Sequence, residues 1–397
     1  MIKLTKRQAQ QFLLSRHGLI GKPIFKGKDG CVAFVQRVSC IQYDPVDVCG
    51  RNADIVLNSR VEDYKKEYLD TLLYQDRKLI DCFDKNMAIS HIDNFPILRN
   101  ERINSGDAGA YEHFVTDAVM GVMPQIRQLI KERGYISSQE VDVGEKITWF
   151  WGHQTSLPRA ALEYMYFLGE LIIHHKNGTN KSYALTQDHI DAEILNAATP
   201  FSNEKERLAW HVKRRISGVG MLWNKASDAY LGLRLKSAQR EIAYAELLKN
   251  DDIFEIAVEG LNVPLYICKS EKSDLESCMS ISQKEMHNTT RTEFIAPLDS
   301  LMWDRKLIHA LFGFEYKWEI YTPKVKRKYG AYTLPILHQG EFIGRVDFSR
   351  NGKELVINNI WMESGLSFTG ELKTAINTCT ERFAKFNNCE TINYKKC

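Results

Sequence analysis

Gln42 and Asp44 stand two residues apart in the run Ile41-Gln42-Tyr43-Asp44-Pro45. In an extended segment, side chains at i and i+2 leave the same face, so this spacing projects an amide and a carboxylate together. That pair suits cleavage of a glycosidic bond, where the departing group leaves a sugar with oxocarbenium character. A carboxylate stabilises such charge or activates water, and an amide orients the water or the sugar. With a reference pKa of roughly 4, Asp44 is expected to be ionised at neutral pH. A plainer reading fits the same residues: Asp44 caps a turn before Pro45 and Gln42 lies on the surface. Gln-x-Asp is a common triplet, and spacing alone leaves both readings open.

Four other runs carry candidate chemistry. Trp149-Phe150-Trp151-Gly152-His153 places aromatics beside a glycine, where Trp149 and Trp151 would stack on a displaced base or a cationic purine; the alternative is core packing. In Thr322-Pro323-Lys324-Val325-Lys326-Arg327-Lys328-Tyr329, four of the five positions 324–328 are cationic. Lys324, Lys326, Arg327 and Lys328 are candidates for phosphate contact, against a solvated turn. Lys213 and Arg214, within His211-x-Lys213-Arg214-Arg215, would reach phosphates from a helix, against a plain solvated face. His175 and Lys176 flank a hairpin tip and carry the same two readings.

The elements that must position these residues follow from periodicity. Residues 4–17 have helical spacing and end at Gly18. Residues 31–41 read as a buried helix running into an extended turn, which Pro45 stops. Residues 61–75 form a third amphipathic stretch. Alternation around Lys85-Asn86 predicts a hairpin over 79–92. This helix, helix, helix, hairpin order is that of a winged helix, and it recurs. Residues 113–134 read as a helix, Ser137 to Glu140 as a cap opening a short helix, and 156–169 as another helix. LIIHHKNGTNKSYALT, with Asn177-Gly178 at its turn, is a hairpin. A third round has helices near 188–197, 202–217 and 236–249, then a hairpin turning near Gly260. The polar segment 270–292 reads as a linker. From about 293 the chain is strand-rich, predicting a small antiparallel sheet or barrel closed by a helix over 367–386. The expected fold class is α+β, with tandem winged-helix units at 1–110, 111–186 and 187–270 and a barrel-like domain at 293–397.

Composition bounds the partners. The chain has 397 residues, 44% hydrophobic and 26% charged, with a formal net charge of +3. Binding to nucleic acid therefore needs local basic patches. The first apolar run is too short for a secretory signal, and no window has the apolar length of a membrane span. Nine cysteines, with no CxxC pair, point to reduced thiols in a cytoplasmic protein. No Walker A loop, HExxH motif or zinc-ligand spacing is present, so no metal or other cofactor is expected. A monomer is the default expectation.

Two longer blocks carry a family resemblance. IQYDPVDVCGRNADIVLNSRV, at 41–61, and APLDSLMWDRKLIHALFGFEYKWEIYTPKVKRKYGAYTLPILHQGEFIGRVD, at 296–347, resemble the winged-helix crosslink-repair DNA glycosylases of the YcaQ type. The resemblance implies tandem winged helices around a C-terminal β-barrel and a metal-free monofunctional glycosylase. It implies a partner in double-stranded DNA that carries cationic N7-alkylated purines or interstrand crosslinks, and hence a nucleoid-associated place in the cytoplasm. It places the family's catalytic Gln-x-Asp on Gln42 and Asp44; a sister branch of antibiotic self-resistance enzymes carries Gln-x-Gln there. The match at Trp149 to His153 is loose. The chemistry agrees, because an N7-alkylguanine is already cationic and leaves without a general acid. A non-catalytic winged-helix DNA-binding regulator is the alternative, because fold alone does not fix function.

Overall fold

A computed structural model describes residues 1–104, 115–149, 152–233, 235–280 and 291–395. The chain divides into two compact units, one of Met1–Tyr68 with Phe201–Cys397 and one of Leu69–Pro200. The fold is mixed α+β. No helix among the described residues is long and apolar enough to cross a membrane.

In the first unit, Thr5 opens helix Lys6–Arg16 through a reciprocal capping box: its hydroxyl accepts the Gln8 N–H at 3.2 Å and the Gln8 side chain accepts the Thr5 N–H at 2.9 Å. Phe12, Leu13 and Leu14 bury the inner face of this helix. Strand Ile2–Leu4, which periodicity does not reveal, runs parallel to Ile253–Val258, itself paired with Leu265–Cys268. The second helix is Gly27–Arg37, four residues earlier than its apolar run begins, and the expected extended turn is strand Cys40–Gln42. Helix Asn52–Asn58 follows, with no counterpart in the sequence-based expectation. The third expected helix is shorter at its start, Lys66–Tyr74, and the chain passes along it from this unit into the other. Helices Glu204–Val219 and Ser237–Lys249 match the third round, while the expected helix near 188–197 is one turn, Ala192–Leu195, in the other unit.

The strand-rich region is a five-stranded sheet ordered Thr292–Phe294, Thr333–His338, Glu341–Asn351, Glu354–Met362, Thr391–Tyr394. The first four strands are antiparallel and the last is parallel to its neighbour. Helix Gly370–Phe386 makes that crossover possible, since a parallel pair cannot be joined by a hairpin. Its Phe383 ring meets Phe294 at 5.5 Å and Phe348 at 5.0 Å. Register shifts at Ile336/Leu337 and Asp347/Phe348 bend the sheet. Among the described residues it is open, not a closed antiparallel barrel. Two further expectations are corrected here. Residues 315–330 are a loop with one 3-10 turn at Lys324–Lys326, not strand. The supposed linker carries helix Lys272–Ser280, and 281–290 lies outside the described residues.

In the second unit, hairpin Leu79–Asp84/Asn86–His91 turns on Asn86 in the left-handed region, φ 54°. Helices Asp117–Arg133 and Leu157–Phe167 pack with hairpin Leu171–Asn177/Asn180–Leu185 around Ile126, Ile130, Ala161, Met165 and Ile173. Residues 137–140 are a turn, not a helix: Glu140 accepts the N–H and hydroxyl of Ser137, each at 2.7 Å, but the chain leaves strand Ile136–Ser137 at that point.

Candidate active site

Ser39 takes a left-handed φ of 66°, turning the chain from helix Gly27–Arg37 into strand Cys40–Gln42. The Ser39 carbonyl is fixed by Arg214, whose guanidinium donates at 3.0 Å. Gln42 ends the strand 7% exposed, and its Oε1 is buried with no hydrogen-bond partner among the described residues. An unmet acceptor of this kind costs about 1–3 kcal/mol unless water or a ligand supplies a donor.

Asp44 is half-buried. Its Oδ1 accepts the Val46 N–H at 2.9 Å, so the carboxylate does cap the turn at Pro45. Among the described residues no donor is aimed at its second oxygen. Burial raises its pKa from that of a free aspartate, against the Val46 N–H, which favours the anion. A carboxylate so raised is a stronger base while it stays ionised. Its charge also reaches the phenols of Tyr321 and Tyr332; burial is the larger cause of the raised pKa of both, and Asp44 adds to it.

Two residues that follow this turn, Asn52 and Arg60, reach the distant block at 296–347. Asn52, 1% exposed, donates to the Gln42 carbonyl at 2.8 Å and accepts the Leu298 N–H at 3.0 Å. Arg60 and Asp299, both fully buried, pair at 2.7 Å. Gly50, at φ 116°, lets the chain pass Ile55 and Phe386, where an added Cβ would sit 3.1 and 3.0 Å from their side chains.

The loop 315–330 carries an aromatic and cationic surface beside Asp44. Glu319, 4% exposed, accepts the N–H groups of Lys328 at 3.0 Å, Tyr329 at 2.9 Å and Gly330 at 3.3 Å. Burial disfavours this carboxylate, but the three donors hold its pKa below the usual value. Arg327 is also spent inside the loop, donating to the Thr322 carbonyl at 2.8 Å. Lys324, Lys326 and Lys328 are exposed. Trp318 meets Tyr321 edge-on at 5.6 Å and Tyr332 at 5.9 Å. Behind Gly330 lies Asp347, pushed up to about 6 by burial; a Cβ on Gly330 would stand 2.8 Å from its carboxyl carbon.

A family model described as DNA glycosylase AlkZ-like matches residues 35–386, which include the whole of this site. The chain belongs to the AlkZ-like DNA glycosylase family. It is therefore an enzyme of the DNA glycosylase class. The solved structure of Streptomyces sahachiroi DNA glycosylase AlkZ is similar, with a TM-score of 0.62 and 12% identity, covering 99% of this chain and 100% of that one. Identity that low is a likeness of fold.

Within this AlkZ-like chain the other candidate residues are placed as follows. Lys213 pairs with Asp252 at 2.5 Å at the surface. Arg214 is 6% exposed and lies 4.6 Å over the Trp210 ring, in addition to holding Ser39. Lys176 is buried against Asp81 at 2.5 Å, and the His175 ring shares a hydrogen bond with His174 at 2.8 Å. Trp149 is 4% exposed within the second unit's core and donates to Glu163 at 3.0 Å, which is the packing alternative. Trp151 lies outside the described residues. Sequence reasoning missed Asn52, Trp318, Glu319, Tyr332 and Asp347. For Trp318 and Tyr332 a signal existed: aromatics recur through 316–332 among the basic residues.

Proposed function

We propose that this AlkZ-like glycosylase hydrolyses the N-glycosidic bond of cationic N7-alkylated purines in double-stranded DNA, and thereby unhooks interstrand crosslinks joined through such bases. Asp44 and Gln42 are the proposed catalytic residues. The carrying observation is their local setting: a half-buried carboxylate of raised pKa two residues from a buried amide oxygen with no hydrogen-bond partner among the described residues. The leaving base already bears positive charge, so no acid need protonate it. Asp44 stabilises the developing oxocarbenium ion or takes a proton from the attacking water, and the Gln42 Oε1 accepts a hydrogen bond from that water. Released on one strand, a crosslinked base stays tethered to the other, which is what unhooking means.

Exposed Lys324, Lys326 and Lys328 are the proposed phosphate contacts, with Lys213, His175 and Lys176 secondary because each already has an internal partner. The helix and hairpin order supports reading 1–110, 111–186 and 187–270 as tandem winged-helix units, ahead of a C-terminal domain at 293–397. The enzyme is proposed to act as a monomer in the cytoplasm, at the nucleoid.

The test is single-turnover release of 7-methylguanine from duplex DNA by Asp44→Asn, alongside its binding to the same duplex. Release should fall by roughly 10²–10⁴-fold with binding nearly unchanged. Release at the wild-type rate would remove Asp44 from the chemistry.

A further inference from the structure

The two most exposed large apolar side chains among the described residues are Val325, 92% exposed, and Tyr321, 80% exposed. Both belong to the loop beside Asp44. These groups, one on each side of Pro323 and set among lysines, leave most of their surface to water, so packing within the chain does not account for them. The loop that carries them is held in place. Glu319 binds three of its N–H groups, Arg327 binds the Thr322 carbonyl, the Thr322 N–H reaches the Glu319 carbonyl at 2.9 Å, and the Lys326 N–H closes a turn on the Pro323 carbonyl at 2.8 Å. A tip ordered in advance loses little entropy when it docks. Trp318 backs the Tyr321 ring edge-on.

We propose that Tyr321 and Val325 form a wedge that enters the base stack of duplex DNA beside the damaged nucleotide, while Lys324, Lys326 and Lys328 engage the flanking phosphates. Apolar wedges that part base steps are a known way to bend or open a duplex without reading sequence. Here the wedge lies within electrostatic reach of the Asp44 carboxylate, so opening the stack and presenting the deoxyribose occur at one place. Charge complementarity favours DNA as the occupant, and the inference rests on the glycosylase reading above.

The experiment uses the full chain with Tyr321→Ala and Val325→Ser, singly and together, and Tyr321→Phe as the conservative variant. Release of 7-methylguanine is measured from a fully paired duplex and from one in which the lesion faces an abasic site, where the stack is already open. Stacking contributions of about 1–3 kcal/mol per base correspond to a loss of about tenfold to a hundredfold for the double variant on the paired duplex. On the pre-opened duplex the loss should be under about threefold, and Tyr321→Phe should keep the wild-type rate. Equal loss on both substrates, or none on either, overturns the wedge. Unstacking of 2-aminopurine placed next to the lesion is read on binding, without chemistry. It should be seen with the wild type and lost in the double variant, even if the wild type released no base and the glycosylase reading itself failed. Binding to anionic phosphatidylglycerol vesicles that the double variant loses, with duplex binding unchanged, would assign the tip to membranes and overturn the proposal.

Discussion

Asn52→Ala tests whether the site depends on one buried amide. Asn52 is 1% exposed and bridges the Gln42 carbonyl at 2.8 Å to the Leu298 N–H at 3.0 Å. Truncation leaves a buried acceptor on the strand that carries Gln42 and a buried donor on the 296–299 segment. Each unmet group costs about 1–3 kcal/mol, so unfolding in urea should show a loss of roughly 2–5 kcal/mol. The same bond fixes the strand from which Gln42, a proposed catalytic residue, projects. A displacement of about 1 Å at a reacting group can lower a rate by about a hundredfold. Single-turnover release, measured where the variant is still folded, should therefore fall by about tenfold to a hundredfold. Asn52→Asp separates the two contacts: it keeps an acceptor for Leu298 and removes the donor to Gln42, so it should lose rate nearly as far as Asn52→Ala. Stability within about 0.5 kcal/mol of wild type, together with an unchanged rate for Asn52→Ala, would refute the reasoning.

The remaining predictions concern charge. Burial raises the Asp44 pKa, and the proposed role as base or counter-charge requires its ionised form. Release should fall on the acid side at a pH above that of a free aspartate, and a profile flat down to the ordinary aspartate range would exclude this. Asp347, raised to about 6 by burial, disfavours the fold when ionised. That cost is full above about 6 and vanishes below its unperturbed value, because the protonated form is the one the fold prefers. Asp347→Asn should therefore stabilise the protein at pH 8 by about 1 kcal/mol, allowing for solvent screening, and lose that advantage below about pH 4; thermal melts across pH report it, and no gain at pH 8 would count against the burial argument. Lys324→Ala with Lys326→Ala should lower the slope of log binding constant against log salt by about 1.8; an unchanged slope removes both from the phosphate surface.

Local physics made much of the fold legible. Helices Lys6–Arg16, Leu157–Phe167, Glu204–Val219 and Gly370–Phe386 follow apolar periodicity, and the turns at Asn86, Asn177-Gly178, Gln339-Gly340 and Gly352 announce their hairpins. The failures share a cause. Strand Ile2–Leu4 exists because Ile253–Val258, far along the chain, offers it an edge. The 315–330 segment has strand-like residues, yet a buried Glu319 takes up its N–H groups and leaves no ladder to form. Arg214 and Lys176 read as surface cations from spacing but are drawn inward by a carbonyl and a carboxylate that spacing cannot place.

By itself the sequence determined which residues could act, since Gln42 and Asp44 and the two family blocks are matters of residue type and order. It also determined the helix and hairpin succession, because periods of 3.6 and 2 are written in neighbouring residues. Only the tertiary structure decided that the two blocks lie together. Asn52 with Leu298 and Arg60 with Asp299 close separations of more than two hundred residues, and a buried hydrogen bond or ion pair depends on distance in space, which the order of residues does not state.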